Sequence, residues 1–340
     1  MVNNSNGKSK TVTSKDVAAL AGVSQSTVSR AFSDESKLMF ETRRRVLEAA
    51  EELGYRPNAI ARGLISSKTG FIGVVKGPTY NPMFGDLLTS VTEQIQKTNH
   101  QIIYYEAGPN KTIDDILPRI LQYRVEGIIL LYANLSSQLT QTCQDMGIPV
   151  LQMLRYSTNV QANVVLPDNH QGAMLAADHL LQKGYKRFAY VTGELNSSSN
   201  MERQLGFITR LAENGVDKPT VILGDYTYES GFEAGKKLMR DVDGPLGILC
   251  ANDLMGLGVI DAAKELKVRI PEDVGVIGFD NNFMSHWPVY QLTSLAQPID
   301  DMARRGIEVL QENIQDPGRR TSVERYEFQL VERGSTDRKG

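Results

Sequence analysis

The sequence predicts an all-α amino-terminal head joined to an α/β body made of two lobes, each a doubly wound parallel sheet. Three observations carry that prediction. Thr11 to Phe32, TVTSKDVAALAGVSQSTVSRAF, reads as two short helices around a tight turn. From Phe71 onward, short β-branched or aliphatic runs alternate with amphipathic segments, the mark of βαβ units and hence of parallel sheets covered by helices. The alternation breaks once, at about Leu166 to Gln171, which divides the body into two lobes.

In the first stretch, Thr13 followed three residues on by Asp16 makes a capping box for a helix over Lys15 to Leu20, with Val17, Ala18 and Ala21 on its apolar face. Gly22 lets the backbone turn sharply and Val23 plugs the turn. Ser24 can cap a second helix from Gln25 to Phe32. This is a helix-turn-helix pattern. Val28 and Ala31 face its core, leaving Gln25, Ser26, Ser29 and Arg30 outward, with reach and hydrogen-bonding groups suited to base edges and phosphates. Thr13, Ser24, Gln25, Ser26, Thr27, Ser29 and Arg30 are the candidate DNA contacts of the head. Two amphipathic helices around a glycine also make an ordinary corner of a helical domain, so the element that follows matters.

After a polar loop from Ser33, TRRRVLEAAEELGY over Thr42 to Tyr55 repeats apolar residues at helical spacing, Val46, Leu47, Ala50 and Leu53, and closes the small core. Gly54 and Pro57 end it. Arg43 to Arg45 point in different directions around that helix; some can meet phosphate, but a solvated charge run is the readier account of any one of them. Next, Tyr55 to Gly70, YRPNAIARGLISSKTG, reads as a second DNA element. Asn58 can cap under two turns of helix over Ala59 to Ile65, too short to persist alone in water and weakened by Gly63. It orders only against a surface. Asn58, Ala59, Arg62 and Leu64 are its candidate contacts, Leu64 being either a residue between two subunits or a wedge for a base step in the minor groove.

In the body, strands are expected at 71–75, 101–105, 127–132, 149–154 and 163–167, then at 187–193, 220–224, 246–253 and 274–280, with helices between them. Ligands of such sheets sit beyond the carboxyl ends of the strands. There the polar and aromatic residues collect: Tyr80, Met83 and Phe84, then Asn134 and Arg155 on the first lobe. On the second lobe they are Ser197 to Arg203, Tyr226 and Tyr228, Asn252 and Asp253, Asp280 and Asn281. Two such rims facing each other form a cleft for a small polar molecule, rings stacking on it and amide or charged groups fixing its hydroxyls. Each of these residues can equally be a cap or turn residue; Arg203 and Asp253 are the strongest individually.

Composition agrees. The 340 residues, 41% hydrophobic, suffice for two or three domains. The net charge is −3, but residues 1–62 hold ten Lys and Arg against seven Asp and Glu, so the head is cationic and the rest acidic. Cys143 and Cys250 are too few for a disulfide scaffold or zinc site, as expected of a reducing cytoplasm. No apolar run suits a membrane helix or a signal peptide. His100, His170, His179 and His286 are too scattered for a metal site, and there is no GxGxxG after the first strand, no GxSxG and no GxxxxGK[ST]. No catalytic residue, metal or cofactor is therefore expected. A solute-binding protein would share the lobes but has no use for Thr13 to Phe32.

From Val12 to Thr336 the chain resembles the LacI/GalR family of transcriptional regulators. The resemblance rests on DVAALAGVSQSTVSRAF, TRRRVLEAAEELGYRPNAIARGL, NPMF at 81–84, DNHQGAMLAADHLLQKGY from Asp168, ERQLGF from Glu202, CANDLMGLGVIDAAKEL from Cys250 and PEDVGVIGFDN from Pro271. It implies a cytoplasmic repressor, a periplasmic-binding-protein-like body, and a homodimer whose heads read a palindromic double-stranded DNA operator. It also implies Gln25 and Ser26 facing bases, Leu64 intercalating, and a small-molecule effector at Arg203 and Asp253. The expected organisation is a disordered 1–10, a head over 11–57, a hinge helix and linker over 58–69, and an effector-binding and dimerisation domain over 70–336. Within that domain the first lobe takes about 70–168 plus 298–322 and the second about 169–297 plus 323–336, with a tail at 337–340. Three departures from the family pattern stand out: Leu38, Met39 and Phe40 replace the usual serine cap before the third helix, Leu154 and Arg155 replace an aspartate after the fourth strand, which favours a less polar or anionic ligand, and no heptad helix follows Thr336.

Overall fold

The computed structural model describes residues 12–32, 38–56, 69–78, 80–108, 111–133, 136–157, 161–240 and 244–338. They fall into two compact units, the first ending at Gly70 and the second beginning at Phe71.

The first unit contains α1 (Ser14–Ala21), α2 (Gln25–Ala31) and α3 (Phe40–Glu52). The Asp16 carboxylate accepts from the Thr13 N–H at 2.8 Å and from its hydroxyl at 2.7 Å, which ties down the start of α1. Gly22 takes φ +65° to end α1, and the Ser24 hydroxyl accepts from the Thr27 N–H at 3.2 Å to start α2. Val17, Ala18, Ala21, Val28, Ala31, Val46, Ala49 and Ala50 form the core, closed at one side by the Phe32–Tyr55 ring pair. Two expectations are corrected here. Leu47 is exposed, because the buried stripe of α3 runs Val46, Ala49, Ala50, Leu53, and Leu47 lies a quarter turn off it. Arg43 is not simply solvated: its Nε donates to the Ala31 carbonyl at 3.1 Å and closes the end of α2, whereas Arg44 pairs with Glu41 and Glu48 at the surface. Helix α3 starts at Phe40 on Met39, which makes no side-chain cap, and both residues are more than three-quarters exposed.

The second unit is two six-stranded sheets with helices packed on them. The chain runs β1 (Phe71–Lys76), α4 (Met83–Gln96), β2 (Gln101–Glu106), α5 (Ile113–Leu121), β3 (Gly127–Leu131), α6 (Ser137–Asp145), β4 (Val150–Met153) and β5 (Asn163–Pro167). It continues with α7 (Asn169–Gln182), β6 (Arg187–Val191), α8 (Ser198–Glu213), β7 (Thr220–Ile222), α9 (Tyr228–Met239), β8 (Leu246–Cys250), α10 (Asp253–Leu266) and β9 (Val274–Asp280). It ends with β10 (Thr293–Ala296), α11 (Ile299–Gln315), β11 (Val323–Tyr326), β12 (Gln329–Val331) and a 3₁₀ turn at Gly334–Thr336. The first sheet is ordered β11-β5-β4-β3-β1-β2 and is parallel, with Ile72 opposite Ile102 on one side and Gly127 on the other. The second is ordered β12-β10-β9-β8-β6-β7, parallel except where β12 runs against β10. Central strands such as β3, β8 and β9 are buried along their whole length, as strands covered on both faces must be.

The chain passes between the lobes three times, at Asp168, at Gln297 and between β11 and β12. The third passage differs from expectation. Val323–Tyr326 pairs with Val164–Pro167 and stays in the first lobe, so the return falls after Tyr326 rather than after residue 322. The reason is an ion cluster: Arg305 on α11 holds Glu324 of β11 at 2.9 Å and also reaches Glu308 and Glu312. Helix α11, with β10, β11 and β12, lies beyond the strands and helices that the alternating pattern predicts. Its Met302, Ala303, Ile307 and Leu310 complete the first lobe's core against Leu151 and Met153. Among the described residues, no helix is long and apolar enough to cross a membrane.

Candidate functional site

The start of the second helix presents a polar surface. Thr13, Ser24, Gln25, Ser26, Ser29 and Arg30 are exposed, while Thr27 is half-buried beneath them. The Ser24 hydroxyl lies 2.8 Å from that of Ser26 and 2.9 Å from that of Thr27, and the Gln25 amide donates to the Ser14 hydroxyl at 2.8 Å. These contacts hold the start of α2 in one arrangement, with Val28 and Ala31 anchoring its opposite face. The candidates Asn58, Ala59, Arg62 and Leu64 lie outside the described residues, as does Asn134 of the body.

In the body, the carboxyl ends of the strands converge on a cleft between the lobes, and the backbone there is strained. Tyr132 after β3, Leu154 after β4, Tyr226 after β7, and Asp280 and Asn281 at the end of β9 all have positive φ, from 51° to 103°. Non-glycine residues take that conformation at a cost, and such strain concentrates where side chains must be aimed. Two glycines make room. A Cβ on Gly77 would lie 2.0 Å from the Tyr132 carbonyl oxygen, and one on Gly193 would lie 2.0 Å from the Tyr226 ring.

The walls carry an aromatic cluster, Phe84 edge-on to Tyr132 at 5.1 Å and Tyr132 edge-on to Tyr226 at 6.2 Å, so that the two lobes meet through rings. On the second lobe, the Arg203 guanidinium lies 4.1 Å over the Phe279 ring, donates to Asn169 Oδ1 at 2.7 Å and to the Ala251 carbonyl, and stands 3.9 Å from Asp280. Asp280 accepts from the Gln297 amide at 2.6 Å and, across the cleft, from the Asn81 amide at 2.5 Å. Arg155, on the first lobe, lies 3.8 Å over the Tyr132 ring, donates to the Tyr132 carbonyl at 3.0 Å and reaches Glu194 of the second lobe at 3.4 Å. Further bonds cross nearby: the Ser199 hydroxyl donates to the Leu154 carbonyl at 3.0 Å, and the Tyr156 hydroxyl to Glu202 at 3.2 Å. The lobes are thus closed on each other, and the cavity between them is about 30 Å³, room for roughly one water.

Met83, Phe84, Arg203, Tyr226 and Asp280 line this cavity. Tyr80 and Arg155 do not: Tyr80 stands 87% exposed, and Arg155 is packed on the Tyr132 ring beside the cavity. Tyr228 also lies away from it, donating to Asp261. Asp253 needs a correction. Its carboxylate is fully buried and spent inside the second lobe, accepting from the Asn282 N–H at 2.8 Å and from the hydroxyls of Ser285 at 2.7 Å and Ser294 at 2.6 Å. Burial, with Asp280 nearby, pushes its pKa up to about 7. Burial raises Asp280 as well, opposed by Arg203 and the Asn81 and Gln297 amides. The neighbour Asn252 reaches the cavity instead, its amide donating to the Tyr226 carbonyl at 2.9 Å and its oxygen capping α10. Asn81, Tyr132, Leu154, Ser199 and Gln297 also line the cavity. Asn81 opens the NPMF run and Tyr132 directly follows a strand, so the same strand-end rule could have found both.

The amino-terminal unit, over residues 13–58, matches the family model described as bacterial regulatory proteins, lacI family, and residues 177–336 match a periplasmic binding protein-like domain. Among characterised proteins, catabolite control protein A of Priestia megaterium is 34% identical, covering 88% of this chain and 91% of its own length. The HTH-type transcriptional repressor PurR of Aliivibrio salmonicida (strain LFI1238) is 30% identical, covering 89% and 92%. Among solved structures, the Lac repressor dimer bound to operator and the anti-inducer ONPF superposes with a TM-score of 0.86 at 25% identity, covering 96% of this chain and 99% of its own. The transcriptional regulator CelR in complex with cellobiose gives 0.72 at 27% identity, covering 95% and 99%.

Proposed function

Since the chain belongs to the lacI family of bacterial regulatory proteins, a DNA-binding transcriptional regulator with a ligand-binding domain and not an enzyme, we propose that it is a repressor that binds a palindromic operator as a homodimer. A small polar metabolite in the cleft sets its affinity for DNA. The observation that carries the DNA half is the face of α2, where Gln25, Ser26, Ser29 and Arg30 stand free of the core while Val28 and Ala31 hold the helix to it. A rigidly seated helix with hydrogen-bonding groups on its open side suits readout in a major groove. Segment 58–69, with Asn58, Ala59, Arg62 and Leu64, is the link that would contact the minor groove.

Two features support a dimer. The Lac repressor structure similar to this chain is a dimer on its operator. The turn after β9 also leaves Phe283, Trp287 and Val289 52%, 42% and 58% exposed, an apolar surface of the kind that association covers. The control step is a population shift: a ligand that binds the open and closed arrangements of the lobes unequally changes operator affinity by that difference. The nearby structures bound to ONPF and cellobiose are consistent with a cleft ligand.

The test is selection of operators from random duplexes, followed by binding measurements at several salt concentrations. Gln25→Ala should relax base preference at one position of each half-site while the salt slope stays nearly unchanged, because an amide reads bases and releases no counterions. A uniform loss over all sequences would count against direct readout by α2.

A further inference from the structure

Two buried guanidinium groups stand at the cleft, Arg203 lining its cavity and Arg155 packed on Tyr132 beside it, and their circumstances differ. Arg203 is fully employed, bonded to Asn169 and the Ala251 carbonyl, with the buried Asp280 carboxylate beside it. Arg155 is not. It is 8% exposed, and its Nε is buried without a hydrogen-bond partner. Its compensation is one ring face, one carbonyl and a single Nη1 contact to Glu194 at 3.4 Å. The Glu194 side chain is 42% exposed and belongs to the opposite lobe. A buried cation is tolerated when a carboxylate or phosphate meets it closely, and a distant, half-solvated one is a poor substitute. Leu154, at φ 74°, is the strained residue that turns Arg155 onto Tyr132, and both Leu154 and Tyr132 line the cavity.

Resting on the reading of this cleft as an effector site, we infer that the effector is an acidic metabolite and that Arg155 receives its carboxylate or phosphate, Glu194 being the carboxylate that competes for the same guanidinium. The cavity of about 30 Å³ is far below the several hundred Å³ that small-molecule pockets occupy. Entry therefore parts the lobes, and the Arg155–Glu194 contact, already long, parts with them. Arg155 then remains on the first lobe's wall with Nη1 and Nε free to donate, stacked on a ring that a polar ligand also touches. On the facing wall Arg203 keeps Asn169 and the Ala251 carbonyl, while Asp280 gives up the Asn81 amide of the first lobe and accepts from ligand hydroxyls in its place.

The experiment uses the full chain and matched probes: glucose, glucose 6-phosphate and glucuronate, and ribose, ribose 5-phosphate and ribonate, each measured by thermal shift and by calorimetric titration. Binding of at least one acidic member at least tenfold tighter than its neutral parent is expected. The phosphate and carboxylate arms tell the two sources of negative charge apart. Arg155→Gln should bring that member to within about threefold of the neutral parent, Arg155→Lys should retain part of the preference, and Glu194→Gln should tighten acidic members by removing the competing carboxylate. Circular dichroism and the ligand-free melting temperature check that each variant folds. An acid-to-neutral ratio unchanged in Arg155→Gln overturns the inference, as does binding of neutral members alone, and both leave the cleft as an effector site. Binding of no member overturns the inference and removes support for the effector reading as well.

Discussion

Replacing Gly193 with alanine isolates the close approach on which the cleft is built. The added Cβ would stand 2.0, 2.3 and 2.4 Å from three atoms of the Tyr226 ring, where carbon atoms ordinarily rest at about 3.5 to 4.0 Å. The ring would have to retreat by roughly 1.5 Å to restore that separation. It has nowhere to go: its carbonyl is held by Asn252, its hydroxyl by Ser197, its edge by Tyr132, and the space beyond is about 30 Å³. Overpacking of this kind costs about 1 to 3 kcal/mol, and for a unit of this size a loss of about 2 kcal/mol lowers the melting temperature by roughly 4 to 8 °C. Differential scanning calorimetry of the full chain reads this on the transition of the body. Gly85→Ala is the matched control. Gly85 is exposed within helix α4 with no atom within 4 Å of an added Cβ, so alanine there should stabilise by about 0.5 to 1 kcal/mol. Truncating the ring in the double variant Gly193→Ala/Tyr226→Ala should remove most of the penalty of the first change. A Gly193→Ala body that melts at or above the parent would refute the reasoning.

Two further outcomes follow from the structure. Met39→Ser gives α3 the cap it lacks at a position where the methionine is 77% exposed; a gain of about 1 kcal/mol should appear as slower hydrogen exchange at the first amides of α3, and unchanged or faster exchange would show that Met39 already holds that turn by packing. Asp253 supplies a pH signature. Its folded-state pKa is raised to about 7 by burial, so between about pH 4, its ordinary value, and pH 7 the folded chain holds a proton that the unfolded chain has released. Its contribution to stability is therefore present at acid pH and lost as pH rises through that window. Denaturant titrations from pH 5 to 7.5 should show Asp253→Asn less dependent on pH than the parent, and an equal slope in both would place the titration elsewhere.

What could be read ahead of the structure was whatever depends on neighbours in sequence. The Thr13–Asp16 box, the left-handed Gly22 and the Ser24 cap are contacts over three or four residues, and the first two helices follow from them. Helix α3 begins two residues earlier than expected because no capping side chain marks its start. Strand β11 is short, half-exposed and held by Arg305 nineteen residues away, so nothing local told it from a strand of the second lobe. In the cleft, the rule that ligand groups gather at strand ends reached Met83, Phe84, Arg203, Tyr226 and Asp280, but direction defeated it at Asp253. That residue and Asn252 are adjacent in the chain, and only the path of the turn through Asn282, Ser285 and Ser294 decides which of them is consumed within the lobe. The closure of the lobes is equally non-local, since Asn81 and Asp280, or Arg155 and Glu194, meet only when both sheets are complete.

The three passages of the backbone between lobes bear on how the protein is made. Neither half is a continuous piece: the early one is finished by α11 and β11, which a ribosome delivers only after some 130 residues of its neighbour have emerged. Until Met302, Ala303, Ile307 and Leu310 arrive, the apolar layer formed by Leu151, Met153 and their surroundings has no cover. The later half waits longer still, for β12 and the Gly334–Thr336 turn, and a nascent chain stalled before Ile299 would present that naked face to chaperones.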